Sequence, residues 1–262
     1  MRIIEETRAS WSAPWARRLA VLALAVVIVA TAAHWLLLLE TRAFFWSLAT
    51  AVALALLAVL LAGLGLPRVW YYGYRGGRDL VKAFCIGALV LVPSCFAAFL
   101  ALTTPKLADV STDLDEPPTF AEALTERGHG TNAIQSASED WKTLQSSEYP
   151  EVAGRRYDVP IENVRAAVEA TMKEYGWEIL GPKMIGTGSR FNIETLVYSP
   201  VLALPSDVVV RLVEEGDSTF VDMRAASRYG DRDFGINAGL LSGFLKDLDA
   251  QVATLTPAAP QE

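Results

Sequence analysis

The densest chemistry in this sequence lies between Val221 and Asn237, VDMRAASRYGDRDFGIN, which brings Asp222, Arg224, Arg228, Arg232, Asp233 and Asn237 into one short stretch. Strand alternation would send Val221, Met223 and Ala225 to one face and Asp222, Arg224 and Ala226 to the other. Arg228, Arg232 and Asp233 then follow in a turn that opens a helix. Two chemistries fit this pattern. In one, Asp207, Arg211, Asp222 and the arginines form a hydrogen-bonded network on an open sheet face, and Asp233 or Asn237 caps the last helix. In the other, Arg224 and Arg228 converge with the helix N-terminus, flanked by Arg232, Asp233 and Asn237, on an anion such as a lipid phosphate or a carboxylate.

Catalytic chemistries lack their parts. After residue 102 the chain has one histidine, His129 in RGHGT, and no cysteine, which leaves little for a general base or a metal. A hydroxyl nucleophile such as Ser227 needs a base that the sequence does not indicate. The GTG at Gly186–Gly188 lacks the lysine and the helix of a nucleotide loop. Nothing selects a catalytic pair among 26 acidic residues. No catalytic residue, metal ligand or cofactor is assigned, and a non-enzymatic role is expected.

The elements that carry these residues follow from periodicity. Pro160 opens a helix with Ile161, Val164, Val168 and Met172 on one face, ending near Tyr175 and Gly176. Four β-rich runs follow, WEILGPKMIG, SRFNIETLVYS, SDVVVRLVEE and STFVDMRAASRYG, and then an amphipathic helix over 236–252. A first strand is expected near Arg155–Asp158. Short connections force an antiparallel meander. The expected fold is an α+β domain over 151–255, a sheet of about five strands with two helices on one face, helix-grip-like in shape. The acidic, proline-containing stretch 103–150 reads as an extended arm or linker over that domain with a short helix around Phe120–Arg127, and 256–262 as a disordered tail.

Before the arm lie three apolar runs, 19–39, 43–64 and 83–102, of 21, 22 and 20 residues. About 20 uncharged residues cross a bilayer core of roughly 30 Å, so each run is a membrane span. Basic residues flank them on one side: Arg2, Arg8, Arg17 and Arg18 precede the first span, and Arg68, Arg75, Arg78 and Lys82 lie between the second and third. Cationic loops stay cytoplasmic, so residues 1–18 are expected inside and everything after Leu102 outside, in the periplasm of a bacterial inner membrane. Trp70, Tyr71, Tyr72 and Tyr74, interleaved with Arg75 and Arg78, read as an interfacial anchor. His34, the one ionisable residue at membrane depth, has no partner visible in the sequence and is expected to be structural or interfacial. Beyond residue 102 there are 14 Lys/Arg against 26 Asp/Glu, a net charge of −12 that opposes nucleic-acid binding.

Three stretches carry a family resemblance: PKLADVSTDLDEPPTF after the spans, the helix followed by YGWEI, and SDVVVRL leading into VDMRAASRYGDRDFGINA. Together they resemble the domain of unknown function 1499 family over about residues 105–252. The family usually has two aspartates where this chain has Ser206 and Asp207, and an arginine near Leu240, so a charge cluster at those positions is in doubt. The resemblance implies a bacterial envelope setting and no activity. The function expected is a non-catalytic module that binds a lipid or hydrophobic ligand in an apolar groove between the sheet and the C-terminal helix, with the lipid membrane as a partner; the alternative is a scaffold or assembly partner of another envelope protein complex. A large continuous apolar cavity would favour the ligand, a filled core with an exposed apolar patch the scaffold.

Overall fold

A computed structural model describes residues 8–134, 138–185 and 190–255, with the side chains of 181–185 set aside. Gly186–Gly188 and the tail 256–262 therefore lie outside the described residues. The chain divides into two compact units, Met1–Leu102 and Thr103–Glu262.

The first unit is three helices, α1 (Ser12–Trp35), α2 (Thr41–Tyr72) and α3 (Gly77–Thr103), each long and apolar enough to cross a membrane. Helices α1 and α2 meet through buried alanines, Ala13, Ala16, Ala20 and Ala23 on one and Ala51, Ala55, Ala58 and Ala62 on the other. Small side chains let helix backbones approach closely where lipid removes the hydrophobic incentive to associate. Helix α3 joins at Gly87, where an added Cβ would stand 2.8 Å from Val59 Cγ2.

The helices differ from the expected spans at several ends, α1 beginning at Ser12 and α3 at Gly77, and two of the differences reshape the connections. Helix α1 stops at Trp35 rather than running to Leu39, since Leu36–Glu40 turn back toward α2 and Leu37 takes a left-handed φ of +56°. Buried His34 closes that turn: its Nδ1 donates to the Leu39 carbonyl (2.9 Å), and its ring stacks on Phe44 at 4.4 Å. Helix α2 also runs through Pro67 to Tyr72, leaving 73–76 as the connection. Trp70, Tyr71 and Tyr72 consequently sit exposed on its last turn, and Tyr74 follows Gly73. The backbone of Arg75 pairs with Arg8 and Ser10, which puts the two basic segments at the same end of the helices.

The second unit is an α+β domain around an antiparallel sheet. Its elements are β1 (Asp109–Ser111), α4 (Glu122–Glu126), α5 (Glu139–Glu148), β2 (Arg155–Tyr157), α6 (Ile161–Glu174), β3 (Glu178–Ile185), β4 (Arg190–Tyr198), β5 (Pro205–Glu215), β6 (Ser218–Ser227) and α7 (Ile236–Leu255). The sheet has six strands in the order β1-β6-β5-β4-β3, with β2 also paired to β6. The strand beyond the expected five is β1, three residues of the arm that pair with Arg224, Ala225 and Ala226.

Helices α6 and α7 cover one face. Val164, Val168, Met172, Leu241, Phe244, Leu245 and Leu248 pack there against Ile193, Val208, Val210, Leu212, Val221 and Met223, all shielded from solvent. The opposite face is closed by the arm, so the expected open sheet face does not exist. Phe120 and Ala123 of the arm pack on Val209 and Ala226. Helix α5 was not expected. Ser138 caps it by accepting from the Trp141 N–H, and Trp141 and Gln145 face inward, bonding the backbone oxygens of Asp109 and Ser111.

Candidate functional site

Strand pairing builds the polar face row by row. Arg211 lies opposite Asp222, Val209 opposite Arg224, and Asp207 opposite Ala226, so side chains at alternate positions of β5 and β6 point together at the arm. Each charge there meets a partner of the chain itself.

Arg224 forms a two-pronged pair with Asp109, Nε to Oδ1 and Nη2 to Oδ2, both at 2.8 Å. Its Nη1 donates to the Pro118 carbonyl (3.2 Å), and its guanidinium lies 5.6 Å from the Phe120 ring centroid. Arg211 donates through Nη2 to Asp222 (2.7 Å) and Asp113 (2.8 Å) and through Nη1 to the Glu116 carbonyl. Fully buried Asp207 receives Arg228 Nη2 at 2.7 Å and Arg127 Nε at 2.7 Å. Arg127 in turn donates to the carbonyls of Asn132 and Ala226. Glu194 is buried too, and accepts the backbone N–H groups of Ala121 (2.7 Å) and Ala123 (2.9 Å). Every one of these links except Asp207–Arg228, Arg211–Asp222 and Arg127–Asn132, the last within the arm itself, ties the arm to the sheet.

Local fields follow from this packing. Burial pushes the Asp222 carboxyl up against the pull of Arg211, and the neighbouring Asp113 adds to the rise. Asp113, more open, is held below the usual range despite its own burial, by the Glu116 N–H and by Arg211.

The remaining expected site residues secure the start of the arm. Asp233 caps α7, its Oδ1 accepting from Gly235 N–H (3.1 Å) and its Oδ2 from Asn237 N–H (2.7 Å). Its own N–H donates to the Leu107 carbonyl. Asn237 donates through Nδ2 to the Ala108 carbonyl and to Ser227 Oγ, both at 3.0 Å. Arg232 Nη1 donates to the Thr104 carbonyl.

Arg224 and Arg228 are thus held by two different aspartates, Arg232 and Asp233 serve backbone groups, and Asn237 serves the Ala108 carbonyl and the Ser227 hydroxyl. Asp207 leaves the grouping expected with Arg211 and Asp222 and becomes the centre of a separate pair with Arg127 and Arg228. Arg127, Asp109, Asp113, Glu194, Gln145 and Asn132 were not singled out from sequence. Asp109 and Asp113 stand inside a stretch that carried the family resemblance, which was their one signal. The two departures from the family's usual form are uncharged fits: Ser206 Oγ lies 3.3 Å from Ser227 Oγ, and Leu240 packs against the core.

One cleft adjoins this network, about 330 Å³ between the arm and the end of β6, lined by Ala108, Asp109, Asn132, Ile134, Ser227 and Asp231 among others. Among the described residues no cluster of His, Cys, Asp and Glu could hold a metal ion.

The Asp233 cap has a testable pH signature. Burial raises its carboxyl above the usual range, although the N–H groups of Asn237 and Gly235 pull it back. The folded state then binds a proton more tightly than the unfolded chain, so this group's contribution falls as pH rises from the ordinary carboxylate value through the raised one. Asp233→Asn removes that dependence while keeping one acceptor. The variant's stability relative to wild type should improve as pH rises through that window, read as the difference in urea midpoints across a pH series. A difference independent of pH would contradict the raised carboxyl.

Comparison with known proteins adds the family. No functionally curated protein matches the chain. Among solved structures, the vertebrate conserved region of human METTL16 is 14% identical with a TM-score of 0.28, covering 34% of this chain and 72% of its own. CalU16 from Micromonospora echinospora is 21% identical with a TM-score of 0.27, covering 41% and 74%. TTHA0849 from Thermus thermophilus is 15% identical with a TM-score of 0.25, covering 40% and 97%. Likenesses at these scores carry no argument about fold or role. The family model of DUF1499, a protein of unknown function, matches residues 109–248, from the first residue of β1 into the last turns of α7. That span takes in the arm together with the sheet and helices it closes, and the chain belongs to the DUF1499 family.

Proposed function

We propose that this protein is a membrane-anchored scaffold: a non-catalytic domain that presents its outer surface to another protein of the cell envelope. One observation carries the reading. Both faces of the sheet are closed, by α6 and α7 over a packed apolar core and by the arm over a self-neutralised charge layer. A carrier of a buried lipid needs an apolar cavity of several hundred Å³ in one of those places. Partners are left with the surface, which is acidic overall.

In this reading the three helices cross a bacterial inner membrane, with the N-terminus cytoplasmic and the acidic domain periplasmic. The sign rule supports it, because Arg8, Arg17, Arg18, Arg68, Arg75, Arg78 and Lys82 gather at the end where Arg75 pairs with Arg8 and Ser10. The exposed Trp70, Tyr71 and Tyr72 fit an aromatic belt at that end.

A second reading, ligand binding, is favoured by the cleft of about 330 Å³. Its Asp109, Asn132, Ser227 and Asp231 suit a small polar molecule better than an acyl chain. Purification of the full chain from its native membrane in mild detergent, with mass spectrometry of lipids and proteins, separates the two. A protein at constant stoichiometry that in-situ cross-linking maps to the domain surface is expected. A stoichiometric small molecule lost on Ser227→Phe, with no such protein, would replace the scaffold reading by the ligand one.

A further inference from the structure

The second unit's sheet has two unlike ends. At one, β5 and β6 are joined by Glu214, Glu215, Gly216, Asp217 and Ser218, an acidic and hydrophilic turn. At the other, β4 ends at Tyr198 opposite Pro205, β5 begins, β6 ends at Ser227 opposite Ser206, and β1 begins at Asp109 opposite Ala226. This second end is where the chain enters the domain. Thr103 is the last residue of α3, and from the next residue the backbone is bonded down. The Thr104 carbonyl takes Arg232, the Leu107 carbonyl takes the Asp233 N–H at 3.0 Å, and the Ala108 carbonyl takes the Ser227 N–H at 2.7 Å. Within the second unit the backbone at Thr104, Leu107 and Ala108 is thus bonded to this end of the sheet.

Apolar side chains are exposed at the same end. The β4–β5 hairpin presents Tyr198, Val201 and Leu202, with Val201 77% exposed, and the turn before α7 presents Phe234 and Ile236. Phe234 holds a left-handed φ of +56°, a conformation that residues with a Cβ rarely adopt, with its side chain only partly covered by the fold. Lys106 and Arg232 belong to the same end, where they pair with Asp231 at 3.7 and 3.9 Å. Aromatic and aliphatic side chains mixed with cations are the composition that settles at the headgroup boundary.

We propose that this end of the domain is an interfacial surface that rests in the headgroup layer of the bilayer that α3 crosses. Val201, Leu202, Phe234 and Ile236 enter the boundary, to about the 5–10 Å depth typical of interfacial segments. The domain is then held by contact as well as by its covalent tether, with the acidic β5–β6 turn directed away from the membrane. The 11-residue β5 separates the two ends by about 35 Å at roughly 3.3 Å per residue, so one reporter at each end distinguishes them.

The proposal rests on the three helices being spans, and the test separates the two claims. The full chain is placed in nanodiscs with and without lipids carrying a nitroxide near the headgroup, with one environment-sensitive dye per variant. Dye on native Cys95 in a Cys85→Ser chain reports on the span. In a Cys85→Ser/Cys95→Ser background, Val201→Cys and Phe234→Cys report on the proposed surface and Asp217→Cys on the far end. Strong quenching at 95, 201 and 234, with several-fold less at 217, is expected. Quenching at 95 with 201 and 234 no different from 217 would overturn the interfacial surface and leave the spans standing. Absence of quenching at 95 would overturn both. A blue-shifted, unquenched dye at 201 that cross-links to protein would assign this end to a protein partner instead, and also overturn the proposal.

Discussion

Asp207→Ala should destabilise the soluble domain by about 3–5 kcal/mol, the cost of breaking a buried ion pair by removing one partner. Asp207 is fully buried and takes two guanidiniums, Arg127 at 2.7 Å and Arg228 at 2.7 Å, whose side chains are only 6% and 12% exposed. Its loss leaves both cations facing one another without a counter-charge. Arg228 retains Glu126 at 3.6 Å, a half-exposed carboxylate that cannot replace a buried one. Asp207→Asn should cost less, since the amide oxygen still accepts one donor. Pulse proteolysis across a urea series reads the midpoint of this unit within the full-length chain. The comparison is Arg156–Glu215, a pair 60% and 38% exposed, where disruption should cost no more than about 1 kcal/mol. Equal shifts for the two would mean that Asp207 is not the buried hub described.

Elements with a strong local period were legible in the sequence. Helix α6 starts and stops where Pro160 and Gly176 mark it, and β5 and β6 alternate as Val208, Val210 and Leu212 against Asp207, Val209 and Arg211. The residues of the polar face were legible too, because charged side chains at alternate strand positions must share a side. Their partners were not. Asp109 pairs with Arg224 across 115 positions and Asp113 with Arg211 across 98, and nothing local in a single sequence records such pairings. The arm was read as a linker for the same reason. Strand β1 is three residues long, with Asp and Ser at its ends, and takes its conformation from β6. Helix α5 buries Trp141 and Gln145, and a glutamine that satisfies a strand backbone looks in sequence like a solvent-facing residue. A polar, proline-rich stretch can close a face of a sheet when each polar group has a fixed partner.

The pairing of Asp109 with Arg224 decides what the arm is for. Arg224→Met alone leaves Asp109 buried beside the Pro118 carbonyl that Arg224 also held, and Asp109→Leu alone leaves the guanidinium under Phe120 without its counter-charge. Each single change should cost about 3–5 kcal/mol and free residues 104–134 for cleavage by added protease. The double variant Asp109→Leu/Arg224→Met replaces the pair with apolar groups of similar size, which is often neutral or stabilising. It should therefore recover most of the loss and re-protect the arm, giving a large coupling in the double-mutant cycle. If Arg224 instead serves an external anion, the outcome reverses in a measurable way. Inorganic phosphate or anionic detergent would then stabilise the wild type and not the double variant, and the double variant would recover nothing of the function assayed through the partner. A closed arm makes the charge layer a fastener, so in the scaffold reading a partner meets the surfaces that the arm leaves uncovered, and the double variant is expected to keep whatever binding the wild type has.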